Sequence, residues 1–295
     1  MATYTNLSLS RLANAALEGF VKELAPLRVF STSFTPESIG NHRGNVVLVP
    51  LVGAITASTF ASYALCGGTK SVVTITINRH KVAQVGQTDL DALGNSVSSL
   101  ESFGYQQGQA LAQCVVEDVL TLVTTANFAS ATAISSTVLD VAQLRSAKLL
   151  LDQYNAPKNG RVALLDCVAM DRLLAITNFV QAQMFADANV LREGKVRRAL
   201  GFDLYELNSS FVAAASVLGF FGTSQAIAIA MRYLEPQVPS AYSNVQAYTD
   251  PTSGATFGLR DYEDPATGTR YVTLECNYGY SAGITNGARL VKRLD

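Results

Sequence analysis

The sequence predicts an α+β fold, and three observations carry the prediction. Apolar residues recur at three- and four-residue steps in some segments and at two-residue steps in others. Segments of the two kinds are mixed in order along the chain. The C-terminal tail is rich in β-formers and carries a turn signal, Asp264-Pro265-Ala266-Thr267-Gly268. At 295 residues, 48% of them hydrophobic, the chain can bury a large core.

From the N-terminus, Leu9, Leu12, Ala16, Phe20 and Leu24 recur at helical spacing, and Pro26 follows where such a helix should stop. The Ser/Thr/Pro-bearing stretch Ser31 to Gly40 sets this segment apart, which leaves two readings: a helix packed on its own core, or an arm lying on a neighbouring subunit. Val46 to Val52 and Ser71 to Ile77 are β-rich, the second alternating as Val73, Ile75 and Ile77 against Thr74, Thr76 and Asn78. They read as the sides of a long hairpin, and between them Ala54 to Leu65 closes on the turn signal Cys66-Gly67-Gly68-Thr69. Arg43, Arg79, His80 and Lys81 put positive charge at its base and far strand, as a solvated face or as an ion-pair interface.

From Ser96 the pattern is helical, with Val97, Leu100, Leu111, Val115, Val119, Leu122 and Ala126 on one stripe. Continuous to Asn127, this helix is about 48 Å long at roughly 1.5 Å per residue. Gly104 and Gly108 lie on the stripe, each costing about 1 kcal/mol against Ala. Close approach of another backbone accounts for them; a break in the helix is the alternative.

A second long helix is expected from a Ser or Thr cap near Ser136 through Val138, Val141, Leu144, Leu149 and Leu150, ending at Asn155 to Gly160. Arg161 to Leu165 reads as a short strand, and Asp166 as the cap of a helix through Met170, Leu173 and Leu174. Between Leu191 and Phe211, the basic edge Gly194-Lys195-Val196-Arg197-Arg198 leads into a strand with Phe202, Leu204 and Leu207 apolar and Asp203 and Glu206 polar, one slip in the alternation. Gly201 supplies backbone freedom at the strand entrance. No G-x-x-x-x-G-K-S/T phosphate loop occurs here or elsewhere, so this segment reads as an assembly part. Phe211 to Tyr233 is the most apolar region, but Ser216, Gly219, Gly222 and Thr223 to Gln225 interrupt it, and a buried strand at Ala226 to Met231 is expected in place of a membrane helix. Phe257 to Tyr262 and Tyr271 to Tyr280 form a hairpin about the Asp264 turn, and Ala288 to Val291 is a last strand.

Composition narrows the function. Charged residues are only 15%, against about 25% in an average globular chain, so part of the surface is expected to be covered by partners. A net charge of −1 gives no field that would gather nucleic acid or an anionic membrane. Cys66, Cys114, Cys167 and Cys276 are widely separated with no C-x-x-C pair, and with only His42 and His80 to join them they read as buried free thiols, with no metal site. No secretory signal and no apolar run of about 20 residues is present, so no membrane association is expected. An enzyme lacks its parts: there is no G-x-S-x-G, H-E-x-x-H or G-x-G-x-x-G, and both histidines sit among basic or polar neighbours. Asp261, Glu263 and Asp264 lack calcium-loop spacing and read as a solvated hairpin. No catalytic, cofactor-binding or metal-ligating residue is assigned.

Three local texts resemble the major capsid proteins of tailed bacteriophages, the family with the HK97-type shell fold. Asp140-Val141-Ala142-Gln143-Leu144 through Arg161-Val162-Ala163-Leu164-Leu165 looks like the family's central helix-then-strand; Gly194 to Leu207 looks like its G-x-V-x-x-x-x-G-F-D-x-Y segment; and Tyr278-Gly279-Tyr280 looks like its returning strand. The order of elements is similar over nearly the whole chain. The resemblance implies an N-terminal arm over 1–35, an extended β-hairpin loop over 36–90, a peripheral domain with a long spine helix over 91–131 plus 251–295, and an inserted axial domain over 132–250. It also implies a homo-oligomer of pentamers and hexamers closing an icosahedral shell around double-stranded DNA in a virion, assembled in the host cytoplasm. A separate scaffolding protein, a portal and possible decoration proteins are the implied partners, and no Lys–Asn crosslink is expected. An encapsulin-like nanocompartment shell and a soluble enzyme are the alternatives. Arg43, Arg79, Lys81, Gly104, Gly108, Arg197 and Arg198 are the expected subunit-interface residues.

Overall fold

The computed structural model describes residues 2–38, 44–52, 70–88, 97–128, 131–134, 141–175, 198–207, 217–284 and 289–293. The first apolar stripe becomes helix α1 (Ala2–Leu24), with Leu9, Leu12, Ala16, Phe20 and Leu24 all buried, and a 3-10 turn over Ala25–Val29 with Pro26 near its start ends it. The stretch after it is not a spacer: Ser31–Ser38 is strand β1, whose backbone pairs in parallel with a strand near residue 230. Strands β2 (Val46–Val52) and β3 (Lys70–Thr76) form the expected antiparallel hairpin, Val46 opposite Thr76, while its Ala54 to Thr69 end lies outside the described residues. Asn78 then leads into β4 (Arg79–Thr88), a strand the sequence reading left inside the extended loop.

Helix α2 (Val97–Leu120) stops seven residues short of the expected Asn127. The reason is local: Thr121, Val123, Thr124 and Thr125 are β-branched, Thr121 Oγ1 donates to the Asp118 carbonyl at 2.6 Å, and Leu122 and Val123 bond three residues back. Ala126 is consequently exposed and off the stripe. After β5 (Ala131–Ile134) comes α3 (Val141–Gln153), whose expected cap near Ser136 lies outside the described residues. Its buried stripe is Leu144, Ala147 and Leu151, so Leu149 faces out, contrary to the expectation. The helix ends in a Schellman motif at Asn155 (φ 53°), with Ala156 N–H donating to Leu151 O and Asn155 N–H to Asp152 O.

Strand β6 (Arg161–Asp166) and helix α4 (Cys167–Leu174) match expectation, the Asp166 carboxylate accepting from Cys167 N–H at 2.7 Å. Strands β7 (Arg198–Ala199) and β8 (Phe202–Leu207) are joined by Leu200 and Gly201 at φ 50° and 90°, the two positive values a type I′ turn requires. The remaining strands are β9 (Val217–Thr223), β10 (Ile227–Tyr233), β11 (Asn244–Thr249), β12 (Thr256–Asp264), β13 (Thr269–Ala282) and β14 (Arg289–Arg293).

Among the described residues, β2 and β3 stand apart from two six-stranded sheets, one ordered β1-β10-β13-β12-β11 with β4 also on β13, the other β5-β14-β9-β6-β8-β7. Strands β10 and β11 therefore sit in the first sheet and β14 in the second, so the strands are divided differently from the expected inserted segment 132–250. The tight turn from Thr223 to Ala226 sends β10 into the other sheet, and β14 finds ladder partners on β9 and β5.

Helices α1 and α2 cover one face of the first sheet, with the Phe20 and Phe257 rings 5.5 Å apart and Val115 and Val119 in the same core as Leu274 and Tyr278. Phe30 and Phe128 carry this core onto Phe220 of the second sheet. The opposite face of the first sheet is covered by Val47, Val49, Leu51, Ile75 and Ile77 of the hairpin, packed over Ala228 and Ala230. The far face of the second sheet is covered by α3 and α4. The thiols depart from expectation: Cys276 is buried, Cys114 half-buried and Cys167 exposed at the start of α4, and Cys66 lies outside the described residues.

Candidate assembly surface

The glycine seam on α2 belongs to one chain. A Cβ on Gly104 would fall 2.5 Å from the Leu12 carbonyl oxygen, one on Gly108 closer still to that of Ala16, and Gly19 of α1 abuts the Tyr105 carbonyl in return. Arg11 pairs with Glu101 at one end (3.9 Å) and Gln109 donates to Glu23 at the other (2.8 Å), so the two helices run parallel with their backbones in contact. The expected close approach of another backbone is thus realised by α1, which lies on its own core.

The base of the hairpin is tied down by charge. Lys81 reaches Asp118 of α2 at 3.3 Å, and Asp118 also accepts from the Tyr278 hydroxyl at 2.6 Å. Burial, reinforced by that donation to a carboxylate, pushes the Tyr278 hydroxyl far up, so it stays a donor at all ordinary pH. His80 meets Glu275 at 3.1 Å; Glu275 is almost fully buried and is held from its other oxygen by Arg260 at 2.6 Å. The Arg79 guanidinium lies over the Tyr280 ring, 5.6 Å from its centroid. Arg198 is exposed beside Asp203, its cross-strand neighbour, at 3.5 Å. The structure therefore brings Arg79 and Lys81 together at one end of β4 and leaves Arg198 on the distant β7–β8 turn. Arg43 and Arg197 lie outside the described residues.

Sequence reasoning passed over the outward face of the hairpin. Val46, Leu48 and Val72 are 47%, 62% and 49% exposed, while Val47, Val49 and Leu51 point the other way into the core. The signal was present: Val46 to Val52 is an unbroken apolar run, and in an antiparallel pair such a run makes both faces apolar. One face is satisfied within the chain, and the other meets solvent in a single copy. No group of three or more His, Cys, Asp or Glu able to hold a metal occurs among the described residues. Nor is any described helix long and apolar enough to cross a membrane.

Residues 90–221 match a family model described as phage capsid protein. No curated protein matches the sequence. The fold is similar to that in the capsid structure of the cyanophage P-SCSP1u, with a TM-score of 0.58 and 14% identity over 90% of this chain and 87% of that one. It is also similar to a chain of Mycobacterium phage Che8, with a TM-score of 0.55 and 18% identity over 84% and 85%. A third likeness is to the capsid of an empty GTA particle, with a TM-score of 0.52 and 13% identity over 92% and 90%. Residues 90–221 thus match the phage capsid protein family model, and over most of its length the chain has the same fold as these phage and GTA capsid structures.

Proposed function

We propose that this chain is the major capsid protein of a tailed-phage-type virion, assembling as pentamers and hexamers into an icosahedral shell around double-stranded DNA. The observation that carries the reading is the two-faced hairpin: a monomer would not leave Val46, Leu48 and Val72 together in water on a strand pair whose other face is already buried. A neighbouring copy covers that face. The rigid core of α1, α2 and two sheets keeps one shape, and multiple modest contacts per subunit sum through multivalency. A net charge of −1 suits a wall that encloses DNA without gripping it. A separate scaffolding protein and a portal are its partners, with assembly in the host cytoplasm. No covalent crosslink forms, so mature particles run as a single band on denaturing gels.

The test is a Leu48→Asp, Val72→Asp variant. Its circular dichroism and thermal midpoint are expected to stay near wild type, because both side chains are exposed, while fast-sedimenting particles disappear. Particles that still form in wild-type yield would remove the hairpin from the interface. Nuclease-protected DNA inside native particles supports the virion reading, and protein cargo in its place would convert the reading to a nanocompartment.

A further inference from the structure

The helical layer on the second sheet carries two exposed patches of opposite charge, each centred on an apolar side chain. On α3, Arg145, Lys148 and Leu149 are exposed at i, i+3 and i+4, and with Ala142, Ser146, Leu200 and Asp152, which is paired with Arg161 at 2.7 Å, they line an open groove. Leu149 is 58% exposed. On α4, Val168 is 43% exposed, and the exposed Asp171 at i+3 shares its side of the helix with the half-buried Arg172 at i+4. Glu206 of β8 is exposed and pairs with Leu165 of β6, two residues before Cys167 at the start of α4.

Strand β8 connects the two patches. Leu200 stands just before it and Glu206 near its end, roughly 20 Å apart at about 3.3 Å per residue. Basic and acidic halves at opposite ends of one strand cannot pair within a chain, and either half laid on its own copy would set like charges together. A contact that joins the basic half of one copy to the acidic half of the next is heterologous, and such contacts close into rings when the rotation permits.

We propose that these patches are the two halves of one head-to-tail contact between copies of this chain, repeated around each capsomer. Leu149 and Leu200, flanked by Arg145 and Lys148, receive Val168, flanked by Asp171 and Glu206, of the next copy. The apolar centres exclude water and the charges set register and direction. The proposal rests on the shell-protein reading above and adds which surfaces close the ring.

The test reverses each half separately and then together. An Arg145→Glu, Lys148→Glu variant and an Asp171→Lys, Glu206→Lys variant are each expected to fold with wild-type circular dichroism and to lose particle yield by about tenfold or more. The chain carrying all four changes is expected to recover it. Wild-type yield from either reversed half, or no recovery in the combined chain, overturns the proposal. A second measurement does not depend on reversed charges: Leu149→Cys in the wild-type background, treated as particles with a short bismaleimide, is joined to the native Cys167 beside Val168. A ladder of covalent oligomers on reducing denaturing gels, absent when Cys167→Ser is added, is expected. Monomer alone overturns the contact, and a ladder that stops at dimer overturns its head-to-tail direction. Failure of the shell reading is distinguishable, because the wild-type protein would then form no particles at all.

Discussion

At the scale of single residues, two glycines show how differently the same atom can be excluded. Gly108 lacks room: its Cβ would meet the Ala16 backbone, which cannot move without shifting α1. Gly201 lacks a conformation: nothing lies within 4 Å of its Cβ, but φ is 90°. Gly108→Val should therefore destabilise the chain by about 3 kcal/mol, the upper end for overpacking. Gly201→Val should cost about 1–2 kcal/mol through backbone strain alone, with further local distortion of the β7–β8 turn. Urea midpoints at constant m-value measure both, and equal shifts would contradict the distinction. Asp250 gives a pH handle. Burial alone pushes its carboxyl up, but hydrogen bonds from the Ser253 hydroxyl and the backbone of Thr252 and Ser253, with Arg28 at 3.7 Å, more than offset it and leave the carboxyl below its ordinary value. A depressed native value means stabilisation that is complete above the unfolded carboxylate range near pH 3.9 and lost as pH falls through the native value. The stability gap between wild type and Asp250→Asn should be flat above about pH 5 and shrink below about pH 4.

At the scale of elements, α1 and the β2–β3 hairpin are opposites. Phe20 is fully buried between α2 and the first sheet, so Phe20→Ala should cost about 3–5 kcal/mol and lower the thermal midpoint of the unassembled chain. Leu48→Asp should leave that midpoint nearly unchanged, because its side chain points outward. A Phe20→Ala chain as stable as wild type would mean that α1 is an arm after all. Elements whose own pattern set their burial were legible in the sequence: α1, the β2–β3 hairpin, β6 with its Asp166 cap, and the β12–β13 hairpin. Strands defined by their partners were not. In β4 the inward side chains are Lys81, Ala83, Val85 and Gln87, too polar to announce a strand, and the ladder to β13 makes it one. In β9, Gly219 and Gly222 break the apolar run, although a Cβ at Gly222 would strike the Phe220 ring at 2.7 Å. Strand β1 is Ser- and Thr-rich, and its parallel pairing to β10 spans almost two hundred residues of sequence. The candidate surface was half legible. Charge at the hairpin base was visible, but it proved to hold β4 to its own chain, while the outward Val46, Leu48 and Val72 were hidden within a run read only as a strand.

At the scale of the whole molecule, two sheets share one core, and α1 with α2 and α3 with α4 form two helical layers over them, while Val46, Leu48 and Val72 stay exposed. The first sheet joins β1 and β4 from the N-terminal part to β10–β13, and the second adds the C-terminal β14 to the central β5–β9, so neither sheet is built from one continuous segment. Such interleaving couples the two halves of the chain, so that neither sheet can shift without the other. Electron microscopy of the purified chain, produced alone and together with the product of the neighbouring gene, tests the shell reading most directly. Closed polyhedral particles with five- and six-fold clusters are the expected result in at least one preparation. Small, uniform oligomers in both would contradict it.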